Sequence, residues 1–220
     1  HGVPVEARML DNSHLGFLDA LTTPEGSATG ISLYLPLGAG KRGTEPVTTV
    51  YNTKSKKYEQ KTPMELLDQT VAFPDQYERV GDEFKPVVKN ISAIGPKNEM
   101  ITTTADKVDF IIPSPAAMFA LPANAIPFMQ NNSGNRVSYG THHSTQALSL
   151  KNREAPLVAV STGGKGTFEQ LIGSYFSTFA PADGVVRSVS KAAITIKGKD
   201  GKLYRRALYD NYPLNDKTSF

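Results

Sequence analysis

Residues 108–147 read VDFIIPSPAAMFALPANAIPFMQNNSGNRVSYGTHHSTQA, and the change of character along this stretch decides how the chain is read. It opens on an apolar run and passes into AAMFALPANAIPFM, the best helical candidate in the sequence. Pro122 and Pro127 interrupt that candidate. Proline removes a backbone donor and clashes with the preceding turn, so the spacing predicts a broken pair of turns. Ser133 is a suitable N-cap for a second helix through about Ala147, which would put Asn135 and Arg136 in its first turn. Arg136 is also the only permanently charged side chain between Asp109 and Lys151. Its partner, if it has one, lies outside this stretch.

Working outward, the chain has 220 residues, enough for one large domain or two small ones without covalent staples. Hydrophobic residues make up 39% and charged residues 20%, which argues against wholesale disorder. No apolar run approaches the roughly eighteen residues of a membrane helix, and no signal-peptide pattern is read at the start. With 0 cysteines there is neither a disulfide framework nor a thiolate metal site, which suits a reducing compartment. A net charge of +3 is too small to announce nucleic acid, although the basic excess gathers in the last sixty or so residues. The chain opens on His1 rather than Met, which suits a processed piece or part of a longer chain.

Fifteen prolines and eighteen glycines (15 and 18) punctuate the chain closely, and long helical periods are absent. Residues 1–40 alternate short apolar runs with turns such as TPEG, where Pro24 presets the turn and Gly26 accommodates its exit. Residues 41–107 read as solvated strands and hairpin tips. Within them TPMELLDQ is a short helix with Thr62 as N-cap and Pro63 at the first helical position. From Thr167 the pattern turns to strands, with a hairpin around KDGK. The fold class expected is α+β and β-rich, with mixed strands and short broken helices.

Most catalytic patterns fail on inspection. STGGKGTF is not a phosphate loop, because Lys165 precedes Gly166 rather than Ser or Thr. A mobile glycine loop is the better reading. His142 and His143 are adjacent, about 100° apart on a helix, and cannot easily share an ion. His14 reads as a turn or core histidine. There is no Gly-x-Ser-x-Gly and no Asp-x-Asp, hence no nucleophile elbow and no clustered carboxylates. Lys197, Lys199, Lys202, Arg205 and Arg206 read as the solvated edge of a hairpin, with a nucleic-acid face as the other option. Arg136 is the sharpest candidate. At a helix start among Asn and Gly its fork suits a phosphate; a structural arginine capping a carbonyl or pairing with a distant carboxylate fits the residues equally well.

Several stretches in register resemble a known family. SHLGFLDALTTPEGSATGI resembles the segment of the multisubunit DNA-directed RNA polymerase β subunit that runs His-x-Gly, then Thr-Pro-Glu-Gly, then Gly and an aliphatic residue. About eighty residues later VDFIIPSPAAMFALPANAIPFMQNNSGNRVSYGTHHSTQAL resembles that family's Val-Asp-aromatic start, its Ile-Pro-Phe, a turn ending in Asn-Arg, and a Gln-Ala. REAPLV and the closing YDNYPLNDKTSF continue in the same order.

The resemblance implies an internal part of a β subunit, running from beside the fork into the first part of a double-psi β-barrel. Its segments would be a fork-proximal 1–40, a polar β-rich insert 41–107, a helical segment 108–160 with a nucleotide-contacting loop, and the barrel start 161–220. Arg136 matches the arginine that contacts the triphosphate of the incoming nucleotide, with Asn135 beside it. Gln146 matches a glutamine near the nascent RNA, and Glu25 the fork-proximal glutamate of Thr-Pro-Glu-Gly. The function implied is nucleotidyltransferase activity in an assembled complex with β′-like and other subunits, DNA template, RNA and nucleotides. No cofactor is expected on this chain, since a β′-like partner would hold the magnesium. No membrane partner is expected.

There are departures. Phe17 replaces the arginine of His-x-Gly-Arg, the Cys-Pro is missing, Ser27 and Ala28 replace Pro-Asn, and the arginine before Gln-Ala is Ser144 or Thr145. Such divergence points to a large bacteriophage, a class of virus that divides β and β′ among several chains. The location expected is the infected host's cytoplasm or the virion. The competing reading is a non-catalytic, β-rich virion or scaffold protein.

Overall fold

The computed structural model describes residues 2–24, 26–146, 150–164 and 166–208. The chain divides into two compact units, His1–Ser144 and Thr145–Phe220.

The first unit is organised by a mixed seven-stranded sheet. Its strands are β1 (Ala39–Arg42), β2 (Glu45–Asn52), β3 (Lys57–Lys61), β4 (Val71–Ala72), β7 (Ile91–Ile94), β8 (Met100–Thr103) and β9 (Phe110–Ile111). The order is β1-β2-β9-β4-β7-β8, with β3 also paired to β2. Only β4 and β9 run parallel; the other pairs are antiparallel. A separate hairpin joins β5 (Tyr77–Val80) to β6 (Glu83–Pro86).

β2 is the spine because its sequence, EPVTTVYN, is rich in β-branched and aromatic residues that suit a pleated, buried surface. Its link to β3 is closed by Asn52, whose side chain accepts from the Lys54 and Ser55 N–H groups, the local bonding that makes Asn a turn former.

Successive residues of a strand face opposite sides of a sheet, and here both sides are covered. Tyr51, Ala72, Ile91, Ala93 and Ile111 pack on one face together with Tyr77 and Phe84 of the separate hairpin. Val50, Val71, Ile94, Phe110 and Ile112 pack on the other with Leu15, Leu66, Ala117 and Met118. This second face holds segments that precede the site in the chain, Leu15 before the Thr23 loop and Ala117 and Met118 before α2. The short helix α1 (Pro63–Leu66) matches the sequence expectation, with Thr62 and Glu65 forming a reciprocal capping box.

After β9 the chain follows the expected broken path. A 3-10 turn (Pro115–Met118), α2 (Leu121–Asn124) and a second 3-10 turn (Met129–Asn131) precede α3 (Gly134–Thr145). The Ser133 carbonyl accepts from the Val137 N–H at 3.1 Å, so Ser133 occupies the N-cap position.

The second unit differs from expectation at its start. Residues after Thr167 form α4 (Phe168–Phe176) rather than a strand. The cause is local: Thr167 and Gln170 make a capping box, and FEQLIGSYF contains no proline. Strands follow as β10 (Gly184–Val189), β11 (Ala193–Gly198) and β12 (Leu203–Ala207), an antiparallel three-stranded sheet. The KDGK hairpin lies where the sequence puts it, with Gly201 at φ +80°. β10 is exposed along its length, including Val185, Val186 and Val189. Among the described residues no sheet closes into a barrel, so the molecule is β-rich with short helices and a mixed sheet. No described helix is long and apolar enough to cross a membrane.

Candidate functional site

The two motif-bearing segments of the first unit face one another. Thr23, Pro24, Gly26 and Thr29 form one wall of an open cleft of about 360 Å³, and Asn135, Ser138 and Tyr139 of α3 form the other. Asn135, Ser138 and Tyr139 share one helical face by their spacing of three and four. Arg136 leaves the helix next to that face, three residues before Tyr139. Arg136 is exposed and, among the described residues, has no hydrogen-bond or ion-pair partner. The distant carboxylate that a structural arginine would need is not found among those residues.

The first wall is a loop braced by its own polar groups. The Thr29 hydroxyl donates to the Pro24 carbonyl at 2.9 Å and the Gly26 carbonyl at 2.8 Å. Thr23 donates its hydroxyl to the Ser32 carbonyl and accepts from the Gly30 N–H at 2.9 Å. Behind the loop, the Arg8 guanidinium donates to the carbonyls of Val3, Ser27 and Thr29. Gly30 is required where the loop meets Arg8: its φ is +73°, and an added Cβ would lie 2.8 Å from the Arg8 carbonyl oxygen.

The second wall is fixed by packing. Val137 and Thr141 of α3 are buried, and a Cβ on Gly140 would come within 3.1 Å of Ile126 Cδ1. α2 is pinned by Asn124, whose amide donates to the carbonyls of Ala116, Phe119 and Ala120. Between α2 and α3, Phe128 takes the left-handed conformation, φ +55° and ψ +34°. That conformation is a steric cost for a bulky residue.

The lining described carries no charged side chain, so the cleft itself offers hydroxyls, an amide and a phenol, and Arg136 is not among its lining residues. Of the other residues singled out from sequence, Gln146 is exposed in the turn after α3 and makes an interaction of its own. Glu25 lies outside the described residues, as does Lys165. His14 is a turn histidine: its Nδ1 accepts from the Asp11 N–H while Asp11 accepts from Ser13. The Ser13 hydroxyl and N–H hold the Asp11 carboxyl below its ordinary value. His142 and His143 sit in the last turn of α3. Among the described residues no three His, Asp or Glu side chains gather as metal ligands would.

Sequence reading passed over Arg8, Asp19 and Thr29, which brace the first wall. The one available signal was Asp19, an acid inside the apolar run LGFLDAL.

No family model matches the chain. Curated relatives do. The chain is 28% identical over 202 residues to the DNA-directed RNA polymerase subunit beta of Acetivibrio thermocellus, covering 90% of this chain and 16% of the relative. It is 25% identical over 221 residues to that of Thermus aquaticus, covering 98% of this chain and 19% of the relative. A shorter match to the Thermus thermophilus subunit is 30% identical over 124 residues, covering 56% of this chain and 11% of the relative. The chain thus spans less than a fifth of the length of these relatives. Over most of its own length it is similar to one segment of the bacterial RNA polymerase β subunit.

Proposed function

We propose that this chain is part of the β-like catalytic subunit of a DNA-dependent RNA polymerase and helps position the incoming nucleoside triphosphate and the nascent RNA. The observation that carries the reading is the cleft itself. Residues far apart in sequence, Thr23, Pro24, Gly26 and Thr29 with Asn135, Ser138 and Tyr139, meet in one cleft, and Arg136, the neighbour of Asn135 on α3, is exposed with no partner among the described residues. A guanidinium fork is matched to phosphate oxygens and stays charged at any working pH. In this role Arg136 grips the triphosphate, Asn135 supports the same loop, and Gln146 lies toward the RNA. Glu25 would face the fork.

Such a contribution is positioning: it holds a reactant in an attacking geometry and removes the entropy of finding it. Phosphoryl transfer by two metals also needs carboxylates around ions about 4 Å apart. The described residues do not supply that ligand set. The magnesium site is assigned to a β′-like partner. The sheet β10–β12 is assigned to the beginning of a double-psi barrel that further polypeptide completes. A large bacteriophage, acting in the host cytoplasm, is the source proposed.

Two measurements test the reading. In the assembled enzyme, Arg136→Ala should weaken nucleotide use by roughly 1.5–3 kcal/mol, the range for hydrogen bonds to charged groups. Its effect on stability should stay within about 0.5 kcal/mol, as for an exposed side chain without partners. An unchanged apparent nucleotide affinity would make Arg136 a surface residue of no special role. The purified chain given an RNA–DNA hybrid, magnesium and nucleotides should not extend the primer. Metal-dependent extension without a second subunit would overturn the assignment.

A further inference from the structure

Asp19 is closed to solvent, with 0% of its surface exposed, and among the described residues it has no ion pair. Burying a carboxyl group is expensive unless its oxygens are met by donors. Here they are met by three. Oδ1 accepts from the Leu21 N–H at 2.7 Å. Oδ2 accepts from the Thr22 hydroxyl at 2.6 Å and from the Ala120 N–H at 2.8 Å. Two of the bonds are local to the loop. The third crosses 101 residues of sequence to the N-cap of α2.

The consequences reach both walls of the cleft. On one side Asp19 fixes Leu21 and Thr22, directly before Thr23, and its own N–H donates to the Tyr34 carbonyl at 2.8 Å, beyond the loop. On the other side it holds Ala120, from which α2 leads through Ile126 to the packing against Gly140 of α3. Leu21 closes the circuit, because its Cδ2 lies 3.9 Å from the place of a Cβ on Gly134, at the first turn of α3.

We propose that Asp19 is the positioning residue of the cleft: its buried carboxylate bolts the Thr23–Thr29 wall to the segment that launches α3 and so sets where Arg136 stands relative to that wall. The role in nucleotide use rests on the polymerase reading; the role in cleft geometry does not. Asp19 touches no substrate and acts through its three donors. An asparagine there keeps the shape but turns an NH2 toward at least one donor that needs an acceptor. Thr22→Val removes one donor and keeps the volume, a milder version of the same lesion.

The test compares Asp19→Asn, Thr22→Val, Arg136→Ala and the parent chain in the assembled polymerase, well below the unfolding temperature of each. Amide exchange is followed on the full chain in parallel. Asp19→Asn should raise the nucleotide KM between about 10- and 100-fold, the scale of a misplaced contact near 1 Å. Thr22→Val should move it the same way by less. Exchange at the Gly30 and Ala120 amides should quicken at least about tenfold while the amides of β2 and β9 keep their protection. A variant that melts earlier yet leaves nucleotide KM and Gly30 exchange unchanged would make Asp19 merely structural and overturn the proposal. If Asp19→Asn fails to assemble, Thr22→Val carries the same two readouts. If Arg136→Ala also leaves KM unchanged, the assignment of Arg136 to the triphosphate fails, and Gly30 exchange alone decides whether Asp19 sets the cleft.

Discussion

In β2, the residues Val47, Thr48, Val50 and Tyr51 are all buried, and the neighbouring strands bury Val71, Ala72, Ile91, Ala93, Phe110 and Ile111 against them. From Glu6 to Gly30 the described residues that are buried are Gly16, Phe17, Asp19 and Thr22. The sheet is therefore held by apolar area removed from water, a non-directional force that tolerates small shifts. The cleft segment is held by named donors and acceptors, which do not tolerate them. The contrast separates two properties that substitutions usually confuse. Damage to the sheet should cost stability first, and damage to the loop should cost geometry first.

The largest effect expected lies in the sheet. Ile111 is 1% exposed and sits between β2 and β4, so Ile111→Ala removes buried methyl groups where both neighbours are fixed. The cost should be roughly 2–5 kcal/mol, read as a lowered midpoint in urea unfolding of the chain. A loss below about 1 kcal/mol would mean that this core can collapse around the gap, and the contrast would weaken.

Next in size is Gly30→Ala. The left-handed φ alone costs an L-residue roughly 1–2 kcal/mol, and the Arg8 carbonyl oxygen blocks the new methyl at 2.8 Å. The loop must shift to relieve the contact. Amide exchange should rise at residues 23–32 with the sheet amides unchanged. Uniform loss of protection across both regions would show that loop and sheet unfold as one unit.

These two kinds of holding were not equally legible beforehand. The broken path at Pro122 and Pro127, the capped α1 and the KDGK hairpin follow from proline, capping and turn chemistry, all properties of adjacent residues. The strand reading after Thr167 failed because a capping box with no following proline overrode it. The cleft was half legible. Thr-Pro-Glu-Gly and Asn135–Arg136 could each be singled out, but that they face each other is a tertiary fact. The bond between Asp19 and Ala120 spans the length that no window sees. Arg8 was invisible for a similar reason, since a backbone carbonyl as partner leaves no mark in sequence.

The smallest effect separates the regions by pH. Asp109, the residue before β9, accepts from Lys54 Nζ at 2.8 Å and from the Thr70 N–H at 3.1 Å, tying the β2–β3 turn to the approach to β4. Partial burial pushes the Asp109 carboxyl up, but the Lys54 and Thr70 hydrogen bonds outweigh it and hold the group below its ordinary value of 3.8. A carboxyl lowered in the folded state binds its proton less readily than when unfolded. Its stabilisation is therefore complete above the unfolded value and is lost as pH falls through the folded one. The sheet should lose stability on acidification below about pH 4, near the model-peptide value for Asp, and Asp109→Asn should flatten that part of the curve. Lys54 is largely exposed, so at neutral pH Lys54→Ala should cost only about 0.2–1 kcal/mol, and less in high salt. Exchange at β9 should follow this pH limb. An acid limb in Asp109→Asn as steep as in the parent would assign the loss to other lowered carboxylates of the unit, Glu59, Glu65, Glu83 and Asp106 among them.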